Sequence, residues 1–330
     1  MSADGNQENL SPRLGSEAER EQLMVQIAKL FYELELTQNE IARETGLTRW
    51  QVSRLLRDAR AGGIVRIEIT PRSPRLPHVE AELQRRFKLR EAIVVASQED
   101  EDVALNVVTQ AAGRYLAGLQ PRPGLVGVSW GRTMTKLAHW LPPRWNDGVE
   151  VVLLNGAINI RNVEEPTNNV AERVAHAGNG RATLLPVPAV LGNARTREAL
   201  EADPVIAEVL KVAEAAPVAC FSLGEMSERS VLLKSGYLDQ ALLARLAKRG
   251  AVGDILGRFV DERGQIVMPE LDARTIGLRP ERLREKAYAI GVCVGERKHR
   301  AVRACVRAGY LNVLVTDEAT AQFLLEHGDE

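Results

Sequence analysis

The sequence predicts a two-domain protein of the α/β class: a small helix-turn-helix domain joined to a large domain built on a mostly parallel sheet. Three observations predict it. Two short helical patterns with matching caps flank a glycine between Thr37 and Gly63. Three prolines, Pro71, Pro74 and Pro77, then fall within seven residues. Beyond them, short apolar runs alternate with helical patterns, as in a parallel sheet covered on both faces.

A chain of 330 residues accommodates a small and a large domain. Apolar residues make up 45% and charged residues 26%, the composition of a soluble globular protein able to bury a sizeable core. Aromatic content is only 4%, so that core should be aliphatic. Cys220, Cys293 and Cys305 lack metal-ligand spacing, and an odd, scattered count points to a reducing compartment without disulfides. No early apolar run resembles a signal peptide and no stretch is long enough to span a membrane, so a cytoplasmic location is expected. The five histidines, His78, His139, His176, His299 and His327, make no metal-binding pair, and no Ser-His-Asp order stands out. Catalytic residues, metal and cofactor are therefore not expected.

Residues 1–16 are polar and read as a disordered tail. Residues 17–70 form the helix-turn-helix domain. Glu17 to Leu36 has a helical pattern with Leu23, Ile27, Leu30, Phe31 and Leu34 on one side, placed to pack beneath the next two helices. Thr37 caps the second helix, with Glu40 at capping-box spacing, and Gly46 breaks it. Thr48 caps the third, with Gln51 again three residues on. Val52, Leu55, Leu56 and Ala59 make its apolar stripe, and Gly62 and Gly63 end it. In this motif the second of the paired helices enters the DNA major groove.

The charge fits. Between Arg43 and Arg72 seven arginines face three acids, in a chain whose net charge is −1. A local basic patch is an electrostatic footprint for phosphate. Thr48, Arg49, Gln51, Ser53, Arg54 and Arg57 point away from the apolar stripe and are the groups able to reach backbone or base edges of a double-stranded operator. An ordinary helical hairpin with a solvated face predicts neither the doubled caps nor the one-sided charge. Trp50 is off the stripe; it either touches the DNA backbone or packs on the first helix. Ile64 to Ile69 alternates apolar and polar residues, as a wing strand would. Residues 71–78 read as a stiff linker.

Residues 79–330 form the large domain. Val79–Leu89 is helical. Strand-like runs follow at Ala92–Ala96, Leu125–Ser129, Val149–Leu154, Thr183–Val187, Val218–Leu223, Ala287–Val294 and Leu311–Thr316. Helical patterns lie at Val103–Leu119, Thr133–Leu141, Val205–Ala215, Asp239–Lys248 and Lys298–Ala308. In such sheets ligands bind beyond the carboxyl ends of the strands. After the second run come Gly131, Arg132 and Thr133, which suit an anion at a helix N-terminus but also suit a tight capped turn. After the third come Asn155, Gly156 and Asn159, with Asn168 and Asn169 further on. Amides there suit polyol hydroxyls, and equally turns and caps. A glycine-rich stretch from Gly250 to Gly257 carries Asp254. Lys298 sits at the last strand-to-helix turn, as a phosphate partner or a solvated lysine.

The motifs LTQNEIARETGLTRWQVSRLL, VGVSWGRTM, VVLLNGAI, GAVGDILGRFVDERG and LNVLVTDEATAQFLL, in this order, resemble the SorC/DeoR family of sugar-binding transcriptional regulators from about Arg20 to Leu325. The resemblance implies a Rossmann-like effector domain similar to sugar-phosphate isomerases and deaminases. It further implies operator affinity set by a phosphorylated sugar or polyol, and tetramers built as pairs of dimers. Carried over, Gly131, Arg132 and Thr133 would hold the phosphate, with Asn155, Gly156 and Asn168 or Asn169 lining the site. Asp254 would accept sugar hydroxyls and Lys298 would reach the ligand. Ala157, Ser222-Leu223-Gly224 and Cys293-Val294-Gly295-Glu296 depart from the glycine-richer family pattern, which bears on ligand identity more than on fold. The alternative is a sugar-phosphate isomerase or deaminase with an appended DNA-binding domain. Against it, no carboxylate–histidine pair is placed for proton transfer.

Overall fold

The computed structural model describes residues 17–65, 75–157 and 170–328. The expected tail, residues 66–69 of the expected wing strand, residues 71–74 of the expected linker, and Asn159, Asn168 and Asn169 lie outside the described residues. The chain divides into two compact units, Met1–Ile69 and Thr70–Glu330.

The described residues of the first unit form three helices, α1 (Glu17–Tyr32), α2 (Gln38–Thr45) and α3 (Arg49–Ala61). Both expected capping boxes form: the Thr37 and Thr48 hydroxyls accept from the backbone N–H of Glu40 and Gln51, whose side chains accept in return from the cap backbone. Gly46 takes the left-handed conformation between the helices, at φ 69°. Ile27 and Leu30 of α1 pack against Ile41 of α2 and Val52, Leu55 and Leu56 of α3. Helix α1 stops four residues before the expected Leu36. Glu35 turns left-handed at φ 54°, and the Leu36 N–H bonds back to the Leu30 carbonyl at 3.0 Å. The turn brings Leu36 onto the core and leaves Leu34 outside, 64% exposed.

The second unit begins with α4 (Pro77–Phe87), β1 (Glu91–Val95), α5 (Glu101–Ala117), β2 (Leu125–Val128), α6 (Arg132–His139) and β3 (Glu150–Leu153). There follow α7 (Val170–Ala177), β4 (Arg181–Thr183), α8 (Ala194–Ala202), α9 (Pro204–Ala215), β5 (Val218–Phe221), β6 (Leu223–Glu225), α10 (Val231–Lys234) and α11 (Gln240–Lys248). The chain then makes β7 (Gly253–Ile255), β8 (Arg258–Val260), α12 (Pro269–Asp272), β9 (Tyr288–Val292), α13 (His299–Arg307), β10 (Val313–Asp317) and α14 (Glu318–His327).

Seven strands form one parallel sheet in the order β1-β10-β9-β5-β2-β3-β4. Its strands alternate sides as a doubly covered sheet requires. Ile93, Val126, Val128, Val151 and Val315 join the core on the side of α5, α6 and α7. Val94, Val152, Phe221 and Leu314 join the core on the side of α4, α13 and α14. The outer edge of β1 is closed: the buried Glu80 carboxylate accepts the Val94 N–H at 2.9 Å and holds Arg75 at 2.8 and 2.9 Å. From β2 the chain proceeds outward to β3 and β4, then returns to β5 beside β2 and proceeds the other way to β9 and β10. The crevice between β2 and β5 is thus the topological switch point, where α/β sheets bind ligands.

One expectation of strand placement is corrected. The run Thr183–Val187 contributes only its first residue to β4. Pro186 has no N–H to give a ladder, and Leu185 and Val187 instead form a separate apolar cluster with Leu191, Ile206 and Ile276. The glycine-rich stretch at Gly250–Gly257 has no element assigned to it from the sequence. It supplies β7 of a three-stranded antiparallel sheet, β6-β7-β8. Leu256 and Gly257 make its two-residue turn, with φ 52° and 81°.

Candidate functional site

The candidate DNA-contacting surface is built on α3. Burial of Val52, Leu55, Leu56 and Ala59 fixes which face looks out. Arg49, Arg54 and Arg57 are exposed, and among the described residues none has a carboxylate partner. Thr48 and Gln51 are committed to each other: the Gln51 carbonyl accepts the Thr48 N–H at 2.8 Å and its hydroxyl at 2.9 Å. The Gln51 amide nitrogen remains available. Ser53 is half-buried. Trp50 is 66% exposed, with the Arg54 guanidinium 5.5 Å from its ring centroid, so it does not pack on α1. Arg60 and Asp58 reach across to α1 instead. Arg60 donates to the Tyr32 hydroxyl at 2.6 and 2.9 Å, and Asp58 holds Arg20 at 2.5 Å.

In the second unit, the site expected beyond the strand ends gathers at β2, β5 and β9. Gly131 opens α6 with φ 124°, and a Cβ there would meet nothing within 4 Å, so the helix start is open to a ligand. Thr133 is buried, and Arg132 is about half exposed. The turns after β2 and β3 are tied together, since the Trp130 indole donates to the Gly156 carbonyl at 2.7 Å. Gly156 also gives its N–H to the Ile276 carbonyl, and a Cβ there would lie 2.8 Å from Ala189. Its glycine identity is explained by this close packing. Asn155 is 1% exposed, and its Oδ1 has no hydrogen-bond partner among the described residues. A buried amide oxygen left unmatched is costly in a packed interior and marks a place for a donor.

Asp254 and Lys298, distant in sequence, meet through the small sheet. Asp254 lies on β7 opposite Gly224 of β6, and a Cβ on Gly224 would sit 1.7 Å from the Asp254 carboxylate. Only glycine leaves room for that acid. Burial pushes the Asp254 carboxyl up to about 6, against the opposing pull of the Gly257 N–H at 3.0 Å and of Lys298. Lys298, from the turn after β9, donates to the Ser222 hydroxyl after β5 at 3.1 Å. Burial lowers its ammonium from the ordinary lysine value; Cys293, Glu225 and Asp254 oppose that shift, and Arg132 adds to it. The cluster thus combines a cation, an acid of raised pKa and a hydroxyl next to the switch point. Ser222 and Glu225 stand in the sequence beside Gly224 after the fifth strand-like run, without an assigned ligand role.

Arg132 is also drawn outward. Its guanidinium lies 3.6 Å from Glu101 and 3.7 Å from Asp102, at the start of α5. A cavity of about 650 Å³ opens elsewhere, along β1 and the C-terminal half of α5, lined by Arg75, Arg90, Arg114, Tyr115 and Tyr288 among others. None of the residues singled out from the sequence lines it. The three cysteines are free and buried. No metal-binding cluster and no helix long and apolar enough to cross a membrane occurs among the described residues.

Residues 74–326 match the family described as "Putative sugar-binding domain". The chain is 32% identical over 308 residues to the deoxyribonucleoside regulator of Bacillus subtilis, covering 93% of this chain and 98% of that protein. It is 30% identical over 313 residues to the sorbitol operon regulator of Klebsiella pneumoniae, covering 92% and 98%. The full-length crystal structure of that sorbitol operon regulator superposes with a TM-score of 0.69 at 29% identity, over 92% of this chain and 99% of the other.

Proposed function

The chain belongs to the SorC family of sugar-binding transcriptional regulators, and on that premise we propose that it is a DNA-binding regulator whose operator affinity is set by a phosphorylated sugar or polyol. The relatives named above are a deoxyribonucleoside regulator and a sorbitol operon regulator, which supports a sugar-responsive role. One observation favours a phosphate on the effector: Lys298 projects from the turn after β9 to the Ser222 hydroxyl beside the switch point, on the sheet edge that also presents the open N-terminus of α6 at Gly131. A helix N-terminus and a nearby ammonium both favour an anion. Asp254 and Asn155 then take the sugar hydroxyls. Helix α3 addresses the operator through Arg49, Arg54 and Arg57, with Thr48, Gln51 and Ser53 beside them. The protein works in the cytoplasm as a homo-oligomer, and the effector acts by binding its conformations unequally.

A thermal-shift screen over free and phosphorylated pentoses, hexoses and polyols tests this. The effector should raise the melting temperature in proportion to the logarithm of its concentration. Lys298→Ala should weaken the phosphorylated compound far more than its free counterpart. Equal affinity for both, indifferent to the lysine, would leave a neutral sugar as the ligand.

The raised Asp254 carboxyl beside a depressed Lys298 favours a second reading, sugar-phosphate isomerisation with Asp254 as the base. Turnover of aldose phosphates that disappears in Asp254→Asn would establish it. The regulator reading expects none.

A further inference from the structure

Three arginines from three separate turns converge on one carboxylate at the mouth of this site. Arg132 follows β2, Arg229 follows β6 and Arg297 follows β9, while Glu101 opens α5 after β1. Their guanidinium nitrogens lie 3.6, 3.2 and 3.8 Å from the Glu101 carboxylate oxygens. Asp102 adds a contact of 3.7 Å to Arg132. All four members of the hub are about half exposed, from 47% to 60%. Exposed pairs of this kind add little to stability, and two of the three contacts exceed hydrogen-bonding distance. Fold stability therefore does not account for the arrangement. Three mutually repelling cations are gathered where only Glu101 is shared between them, and one of them, Arg132, stands in the turn next to Gly131.

We propose that Glu101 is an internal stand-in for the anionic group of the effector. It holds Arg132, Arg229 and Arg297 together, and an anion arriving at Gly131–Thr133 competes with it for them. The inference rests on the phosphate reading given above. It adds to that reading a built-in competitor, and it adds Arg229 and Arg297 as outer ligands. When the anion wins, the turns after β2, β6 and β9 are bridged through the ligand and the first turn of α5 is released. The binding signal is then a transfer of three arginines from one carboxylate to another anion.

The test is calorimetric titration of inorganic phosphate into the full chain and its variants. Glu101→Gln keeps the shape of the side chain and removes the competing charge, and it should bind phosphate about threefold tighter, the scale of one exposed ion pair. Glu296→Gln removes an equal charge from the turn after β9 at a residue that bridges none of the three arginines, and should change affinity clearly less. Arg229→Ala and Arg297→Ala should each weaken phosphate. Binding by Glu101→Gln that equals or falls below that of the unaltered chain, with an unchanged melting temperature, would overturn the stand-in. If Lys298→Ala abolishes phosphate binding while Glu101→Gln leaves it unchanged, the phosphate site stands and the competitor alone falls. If phosphate binds neither the unaltered chain nor Glu101→Gln, both readings fall together.

Discussion

Asp254 weighs against folding at neutral pH, and the direction of that effect is testable. Its carboxyl is raised from 3.8 to about 6 in the folded chain, because burial penalises the charge more than Gly257 and Lys298 relieve it. Between about pH 4 and 6 the folded state therefore holds more protons than the unfolded one, and stability falls as pH rises through that window. Asp254→Asn keeps the shape without the buried charge. It should stabilise the fold at pH 7 by roughly 2–3 kcal/mol at most for a two-unit shift, raising the melting temperature there, with the gain vanishing near pH 4. Effector affinity should fall in the same variant, the usual conflict between a binding group and stability. Scanning calorimetry at the two pH values decides it; a variant less stable at pH 7 would reverse the account. On α3, Arg54→Ala and Arg57→Ala should lower operator affinity without affecting the effector. Loss of a base-reading arginine should cost roughly 1–3 kcal/mol and relax specificity at one position. A gel-shift titration unchanged in both variants would remove this helix from the interface. Asp254 and Lys298 were legible in the sequence one at a time, as groups following strand-like runs. Their meeting was not, because it depends on β6 pairing with β7 across 27 intervening residues, between Glu225 and Gly253.

At the scale of elements, legibility follows how local the determining contacts are. The capping boxes of α2 and α3 join residues three apart, so Thr37–Glu40 and Thr48–Gln51 could be read directly and both form. Thr48→Ala should accordingly weaken α3 by roughly 1 kcal/mol. Circular dichroism would show earlier loss of helix on heating, and an unaltered profile would mean the cap is dispensable. Strands of three residues carry too little periodicity to be read, and β6, β7 and β8 exist only through one another. The apolar run at Thr183–Val187 misleads for a related reason. Its leucine and valine answer to Ile206 and Ile276, contacts that no local pattern encodes, while Pro186 bars the ladder. The end of α1 differs because Leu34 falls at helical spacing from Leu30 and reads as core, yet a left-handed Glu35 sends Leu36 inward in its place.

For the whole molecule, the alternation of strands and helices is written in nearly every apolar run, and it specified a parallel sheet covered on both faces. The charge of the chain is distributed just as unevenly. Net charge is only −1, yet Arg43, Arg49, Arg54 and Arg57 are exposed on or beside the paired helices of the first unit. That unit has a small core, and one helix in one major groove makes few contacts. We therefore predict that specific binding uses two copies on two half-sites, with a protein two-fold axis mirrored in the operator. The salt dependence follows. Each phosphate neutralised contributes about 0.9 to the fall of log affinity with log salt, so three contacts from each of two chains give a slope of about −5. Halving the operator should roughly halve that slope and reduce affinity by orders of magnitude. Sedimentation of the full chain with intact operator should show at least two chains per DNA. A single chain bound to one undivided site, with a slope near −3, would show that one copy suffices and that the oligomer serves something other than DNA recognition.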